Sequence, residues 1–310
     1  MMPYKLHPNT KSAMWVVVAT LIAVSALIVV MNLGTPSAVS SSDTTPVESL
    51  VFMRDDGNDM EIFMINSDGT NEVQLTDNDY TDWGPMWSPD KYYVAFHSDR
   101  EGYDAIYVMS VGCNGDAFRV TPEGRYARYP SFSPDGNYIA FEMYMGDENW
   151  DIHVLSLTDG SIHQITFNKE IDGGASFSPD GTQIAYHSTQ SGYYDIYVVN
   201  LDGSGTQRMT FETETMDVWP EWSPTGDSII FHSERDGNSN IYVMDSDGNN
   251  QRPLTDNSAL DRVARFSEDG NSIIFRSERS GNSELWVMSE NGTNVRRLTD
   301  TSSNEYHPDW

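Results

Sequence analysis

The sequence predicts an all-β protein: a six-bladed β-propeller of four-stranded antiparallel blades, closed by its C-terminal strand and preceded by one N-terminal transmembrane helix. Three observations carry this reading. They are an apolar run near the N-terminus, a repeat of 44–45 residues through the remainder, and chain ends that fall out of phase with that repeat.

Residues 1–12 include Lys5 and Lys11, and Ala13 to Met31 then run nineteen positions without a charge. A helix of that length spans the hydrocarbon core of a bilayer, whereas the apolar part of a cleaved signal peptide usually runs about 7–15 residues. The positive-inside rule keeps the basic side cytoplasmic and places everything after Met31 outside, in the periplasm or at the cell surface. Segment 13–31 reads as a signal anchor. Cleavage at the small residues Ala38-Val39-Ser40, which releases a secreted domain, stands beside it. A buried core helix fits poorly, because the run is apolar all round. Residues 32–48 (NLGTPSAVSSSDTTPVE) have no hydrophobic period and read as a flexible tether. The folded domain is expected over 49–310.

In that domain an aromatic recurs at Trp87, Phe132, Phe177, Trp222, Phe266 and Trp310, in steps of 45, 45, 45, 44 and 44. A turn follows it, as in Ser133-Pro134-Asp135-Gly136. A second strand comes next (Ile139-Ala140-Phe141), then a third (Ile241-Tyr242-Val243-Met244), and a Gly turn leads to a fourth that ends in Leu-Thr (Leu254-Thr255). Short β-branched and aromatic runs punctuated by Pro, Gly, Asp and Asn mean short antiparallel strands, four per period. One such sheet cannot bury both faces alone, so successive sheets stack, and closing the stack gives a propeller.

The blade count follows from the ends. Residues 50–86 supply second, third and fourth strands (Leu50-Val51-Phe52, Ile62-Phe63-Met64, Leu75-Thr76) with no first strand before them. The chain stops at His307-Pro308-Asp309-Trp310, where a further first strand begins. That strand completes the opening sheet, and the ring of six closes without an exposed edge.

Composition sets the outer limits. The 310 residues hold 18 Lys+Arg against 47 Asp+Glu, a formal charge of −29, which disfavours a nucleic-acid backbone as partner. Hydrophobic residues at 38%, with 12% aromatic, suffice for a core. A surface this acidic keeps a domain soluble and monomeric, and also steers a cationic partner. Cys113, the only cysteine, makes no intramolecular disulfide, and no Cys/His cluster has zinc spacing.

The string Trp-Ser-Pro-Asp-Gly, Ile-Ala-Phe, Ser-x-Arg-x-Gly, Ile-Tyr-Val-Met, Asp-Gly, Leu-Thr resembles the WD40-like repeat of TolB-type six-bladed propellers, in six in-phase copies over residues 50–310. The resemblance is to the propeller alone, without the α/β domain that precedes it in that family.

Strands alternate in direction, so the turns after first strands lie on one face of the disc. The loops that join blades lie on the other, around the channel mouth, where function tends to sit. Five residues before each repeat-opening aromatic stand Asp82, Ala127, Asp172, Asp217, Asp261 and Glu305. The five acids are candidate ligands for a divalent cation, calcium first, or a dock for a basic group. Equally, each is an Asp-type cap on a loop-to-strand turn, and such an Asp is common in TolB-like repeats. No other cofactor is implied. Tyr80, Trp83, Arg128, Trp219 and Tyr306, with Tyr144 and Trp150, are expected on the same face. They are anchors for a ligand or inter-blade packing. The arginines of Ser-x-Arg (Arg100, Arg235, Arg279) are assigned to bonds within or between blades. His97, His187 and His232 share one column, but second strands are expected away from the axis, so a zinc site is set aside.

No Gly-x-Ser-x-Gly, His-Glu-x-x-His or phosphate-binding Gly-rich loop is present. The expected function is a non-catalytic, membrane-tethered module that binds an extracytoplasmic protein, peptide or glycan at the channel mouth. The alternative is a metal-dependent lyase or hydrolase that acts on carbohydrate through the acidic ring.

Overall fold

The computed structural model describes residues 48–112 and 116–310; the expected transmembrane segment 13–31, the tether up to residue 47 and Cys113 lie outside the described residues. Among the described residues no helix is long and apolar enough to cross a membrane.

Among the described residues, twenty-four strands form six four-stranded antiparallel sheets. The first blade contains β1 (Ser49–Asp55), β2 (Met60–Asn66) and β3 (Val73–Gln74). Blade 2 is β4 (Asp82–Trp87), β5 (Tyr93–Ser98), β6 (Ala105–Ser110) and β7 (Ala117–Arg119). Blade 3 is β8 (Ala127–Phe132), β9 (Tyr138–Gly146), β10 (Asn149–Ser156) and β11 (Ile162–Gln164). Blade 4 is β12 (Asp172–Phe177), β13 (Gln183–Ser188), β14 (Asp195–Asn200) and β15 (Gln207–Arg208). Blade 5 is β16 (Asp217–Trp222), β17 (Ser228–Ser233), β18 (Asn240–Asp245) and β19 (Arg252–Pro253). Blade 6 is β20 (Asp261–Phe266), β21 (Ser272–Ser277), β22 (Glu284–Ser289) and β23 (Arg296–Arg297). The last strand, β24 (Glu305–Asp309), returns to pair with β1 and becomes the inner strand of blade 1.

Second strands read as unbroken apolar runs because both of their faces are buried. In β5, Val94 and Phe96 pack toward blade 1, while Tyr93 and Ala95 pack toward blade 3. Side chains two apart share a face of a strand, so one run serves two interfaces. The core is accordingly six clusters, one per blade interface. The cluster between blades 6 and 1 joins Ile274, Leu285 and Val287 to Leu50, Phe52 and Trp310, which is ring closure in apolar terms. Each buried Ile, Leu or Phe contributes roughly 1.5–3 kcal/mol, so one large-to-small change such as Phe231→Ala damages two neighbouring blades.

The repeat motifs satisfy backbone groups that the ladders leave over. In the Ser-x-Asp turns the Ser hydroxyl donates to the Asp carboxylate, at 2.6 Å for Ser88–Asp90, Ser133–Asp135, Ser178–Asp180 and Ser267–Asp269. The same hydroxyl accepts the backbone N–H five residues on, for example Tyr93 at 3.0 Å. The Thr of each Leu-Thr accepts the N–H of its third strand, from Ile62 to Thr76 at 2.8 Å through Leu285 to Thr299 at 3.0 Å. These are buried N–H groups that would cost about 1–3 kcal/mol each if left unpaired.

Closure is polar as well. Arg54 donates to Glu305 at 2.6 Å, the Trp87 N–H donates to Asp309 at 2.8 Å, and the Trp310 indole donates to the Arg265 carbonyl at 3.1 Å.

One irregularity recurs in every blade. The register between inner and second strands shifts at Trp83/Met86, Arg128/Ser131, Gly173/Ser176, Val218/Glu221, Arg262/Arg265 and, for blade 1, Val51/Met53. Each shift holds a residue with left-handed φ: Gly84 (57°), Tyr129 (52°), Gly174 (62°), Trp219 (56°), Val263 (49°) and His307 (44°). A bulge of this kind re-aims a side chain. Here six of them surround the axis.

Candidate functional site at the channel mouth

The bulge residues close the channel. Tyr129, Trp219 and His307, from alternate blades, meet with ring centroids 4.6 Å (Tyr129–Trp219), 5.4 Å (Tyr129–His307) and 5.0 Å (Trp219–His307) apart. The blades between them supply Gly84, Gly174 and Val263. A Cβ on Gly84 would stand 3.1 Å from the Tyr129 ring, and one on Gly174 would stand 3.3 Å from Trp219 and 2.6 Å from His187. Large and small residues alternate because six large ones have no room. The His97 Nδ1 accepts the Tyr129 N–H and the His187 Nδ1 accepts the Trp219 N–H, both at 3.3 Å, which requires neutral imidazoles. Burial holds them so, with His187 and His307 pushed down to about 3 and His97 and His232 well below the usual histidine range.

This floor separates two mouths. One, of about 450 Å³, is ringed by all six repeat-opening aromatics and the Ser-Pro turns. The other, of about 690 Å³, is lined by Trp83, Arg128, Trp219 and Tyr306, together with Met53, Met60, Met216, His187, His232, Glu234, Arg262 and Arg276. The structure therefore brings four of the five expected anchors to one cavity. Tyr80 stands outside it, 46% exposed on the loop that enters blade 2. Trp150 lies beneath the Arg128 guanidinium at 3.8 Å and packs on Tyr144 at 5.3 Å.

The five acids sit in five separate blades, each at 0% exposure. Four meet an arginine: Asp82–Arg100 at 3.1 Å, Asp217–Arg235 at 2.7 Å, Asp261–Arg279 at 2.8 Å and Glu305–Arg54 at 2.6 Å. Three of those arginines are the Ser-x-Arg residues, and each also lies over two aromatic rings of its blade, as Arg100 does over Phe96 and Tyr107. Asp172 differs, because Gln190 occupies the arginine's place. The Asn168 amide donates to it at 2.6 Å, and burial pushes its carboxyl up to about 6. Among the described residues no group of three or more His, Cys, Asp or Glu side chains could hold a metal ion.

The second strands are not remote from the axis at this level, contrary to expectation. His187 and His232 line the mouth because the inner-strand residues opposite them, Gly173 and Val218, are too small to cover them. In the same register the other blades pair Trp83 with His97, Arg128 with Glu142, Arg262 with Arg276 and Tyr306 with Met53. Sequence reasoning missed Tyr129, Glu142, Arg262 and Arg276. The signal for them was present in the columns three and four residues before each opening aromatic, and in the histidine column, which reads Glu in blade 3 and Arg in blade 6. Three arginines and two glutamates line this mouth, and Glu142, one of the two, is fully engaged by Arg128 and the Gly174 N–H.

The family model described as TolB beta propeller domain matches residues 11–145, 127–219 and 213–310. The Tol-Pal system protein TolB of Francisella tularensis subsp. mediasiatica (strain FSC147) is 30% identical over 156 residues, 50% of this chain and 35% of that protein. The match thus spans about a third of the curated relative's length. Among solved structures, TolB from Acinetobacter baumannii superposes with a TM-score of 0.76 at 21% identity, covering 94% of this chain and 71% of that one. An oligogalacturonate lyase in complex with manganese superposes with a TM-score of 0.59 at 16% identity, covering 82% and 75%. Those two likenesses are of fold. The family match, which covers the whole described propeller, makes this chain a member of the TolB β-propeller family.

Proposed function

We propose that this propeller is a binding module that holds an extracytoplasmic protein or peptide in the cavity at its channel mouth. The observation that carries the reading is the cavity itself: about 690 Å³, floored by the Tyr129–Trp219–His307 cluster, walled by methionines and aromatics and rimmed by arginines. Aromatic, Met and Arg side chains in a concave, partly desolvated setting are the composition of interface hot spots. The cavity has a blind end, so it seats a side chain or a short segment rather than passing a solute. Partner selection by peptide display on the full-length chain tests this. Enriched peptides are expected to lose binding to Trp219→Ala and Trp83→Ala and to keep it with Phe177→Leu at the opposite mouth. Enrichment indifferent to Trp219 and Trp83 overturns the reading, and glycan-array binding that depends on them replaces the peptide with a glycan.

The propeller acts outside the cytoplasm, either held by segment 13–31 or released by cleavage near Ala38. Intact mass of the chain recovered from membrane and soluble fractions distinguishes the two.

A second reading, carbohydrate lyase or hydrolase chemistry, draws support from the His, Arg and Glu side chains gathered at the same mouth and from the fold shared with the oligogalacturonate lyase. It requires turnover of an acidic oligosaccharide with manganese or calcium added, lost on His232→Gln. Absence of product in both metals removes it.

A further inference from the structure

Arg262 on β20 and Arg276 on β21 are direct cross-strand partners at the channel mouth. Like charges opposed in this way are destabilising, and among the blades only this one pairs two cations at that register. Blade 3 places Glu142 opposite Arg128 and closes an ion pair at 2.6 Å. Blade 6 has no such acid. Arg262 reaches sideways to Glu234 at 3.1 Å, while Arg276 lies over the Tyr306 ring at 4.9 Å and feels Arg262 more strongly than Glu278, the acid just past the end of its own strand. The Nε atoms of both arginines and the Nδ1 of His232 are buried without a hydrogen-bond partner among the described residues. All three residues line the same cavity. Buried donors with nothing to donate to are costly, and two guanidinium Nε–H groups side by side in one pocket mark a missing acceptor.

The geometry points to a carboxylate subsite: the Arg262–Arg276 pair receives the carboxylate of an acidic peptide that enters the channel mouth. This rests on the binding reading given above and specifies its chemistry. Planar guanidinium forks match a carboxylate in two-point fashion. Glu234 already pairs with Arg262 at 3.1 Å, so the two guanidiniums suit a singly charged carboxylate better than a phosphate dianion or a nucleic-acid backbone. The remaining wall selects a peptide over an acidic sugar. Met53, Met60, Met216, Ile171 and Val218 offer nothing to a ring of hydroxyls and suit apolar side chains beside the acid.

The test uses the full-length chain in neutral detergent. Sodium propionate is titrated against sodium chloride at matched ionic strength, with the melting temperature as readout. A saturable rise of roughly 2 °C or more with propionate alone is expected, lost in Arg276→Gln and Arg262→Gln and kept in Lys91→Gln at the opposite mouth. Both charge-removing variants relieve repulsion in the unliganded protein and are expected to fold. No propionate-specific rise, or a rise that persists in Arg276→Gln, overturns the subsite. The peptide arm compares acetyl-Leu-Glu-Leu-amide, acetyl-Leu-Gln-Leu-amide, acetyl-Leu-Leu-Leu with a free C-terminus, and galacturonate by quenching of tryptophan fluorescence. At least tenfold preference for either acidic peptide over the neutral one supports the proposal and separates side-chain from terminal carboxylate. Equal binding of acidic and neutral peptides, abolished by Trp219→Ala, overturns the carboxylate subsite and leaves the binding reading standing. Preference for galacturonate over every peptide overturns the peptide class.

Discussion

Blades 3 and 6 place an arginine at the same point of the inner strand, Arg128 and Arg262, and answer it differently. Across the ladder from Arg128 stands Glu142, buried, accepting from Arg128 at 2.6 Å and from the Gly174 N–H at 2.9 Å. Across from Arg262 stands Arg276. One blade satisfies its cation internally, and the other presents two cations to the channel. The lesson is that near-identical backbones separate structural from ligand-directed charge by a single residue in one column. The same contrast recurs inside the sheets with opposite sign, where Asp261 meets Arg279 at 2.8 Å but blade 4 has Gln190 at the arginine's position and leaves Asp172 without a cation among the described residues.

The largest effect expected is from breaking the satisfied pair. Glu142→Leu strands a desolvated guanidinium and a backbone N–H together, and the loss should be about 3–5 kcal/mol, read as a fall in the urea midpoint at unchanged slope. A loss below about 1 kcal/mol would mean that Arg128 swings to solvent and that the two blades do not differ as described.

Next is the floor beneath both. Gly174→Ala places a Cβ 2.6 Å from His187 at a φ of +62°, and should cost about 1–3 kcal/mol while disturbing Trp219 fluorescence. Gly181→Ala, at a similar φ but with open space around it, should cost only the backbone term and leave the fluorescence unchanged.

The pH dependence of blade 4 sharpens the comparison within the sheets. The folded Asp172 carboxyl, lifted by burial to about 6, lies above its ordinary value of 3.8, so the folded state holds its proton longer than the unfolded one. Its favourable contribution is full below pH 3.8 and is lost as pH rises through about 6. Asp172→Asn should therefore stabilise by on the order of 1–3 kcal/mol at pH 7.5 and by almost nothing at pH 4. The depressed histidines act in the opposite sense in both proteins and cancel in the difference. Gln190→Arg, which restores the partner found in blades 2, 5 and 6, should shrink the same pH dependence. A stability difference that is flat from pH 4 to 7.5 would remove Asp172 from this account.

The smallest effect is the relief of repulsion in blade 6. Arg276→Leu without ligand should stabilise by about 0.2–1 kcal/mol, the reverse of the sign for Glu142.

Much of this was legible beforehand. The spacing of Trp87, Phe132, Phe177, Trp222, Phe266 and Trp310 dictates six blades, because each repeat must bury two faces and the last strand fills the vacancy beside Leu50-Val51-Phe52. The gathering of Trp83, Arg128, Trp219 and Tyr306 followed from strand direction alone. Tyr80, on the exposed loop that enters blade 2, lies outside that cavity, since a loop residue takes its direction from its own turn rather than from the sheet. The closed floor was also illegible: a residue every 45 positions gives no sign that a bulge will aim it at the axis, or that Gly84 and Gly174 leave room for their neighbours' rings.

The sequence by itself determined strand periodicity, blade number, ring closure and the face on which loops gather. All of these depend on alternation along one strand and on the need to cover apolar faces. Only the tertiary structure decided which charges are partnered. Whether Arg128, Arg262 or Asp172 meets an opposite charge depends on the register across a bulge and on which side chain of the neighbouring strand fills the space, and both are set by three-dimensional packing rather than by order along the chain.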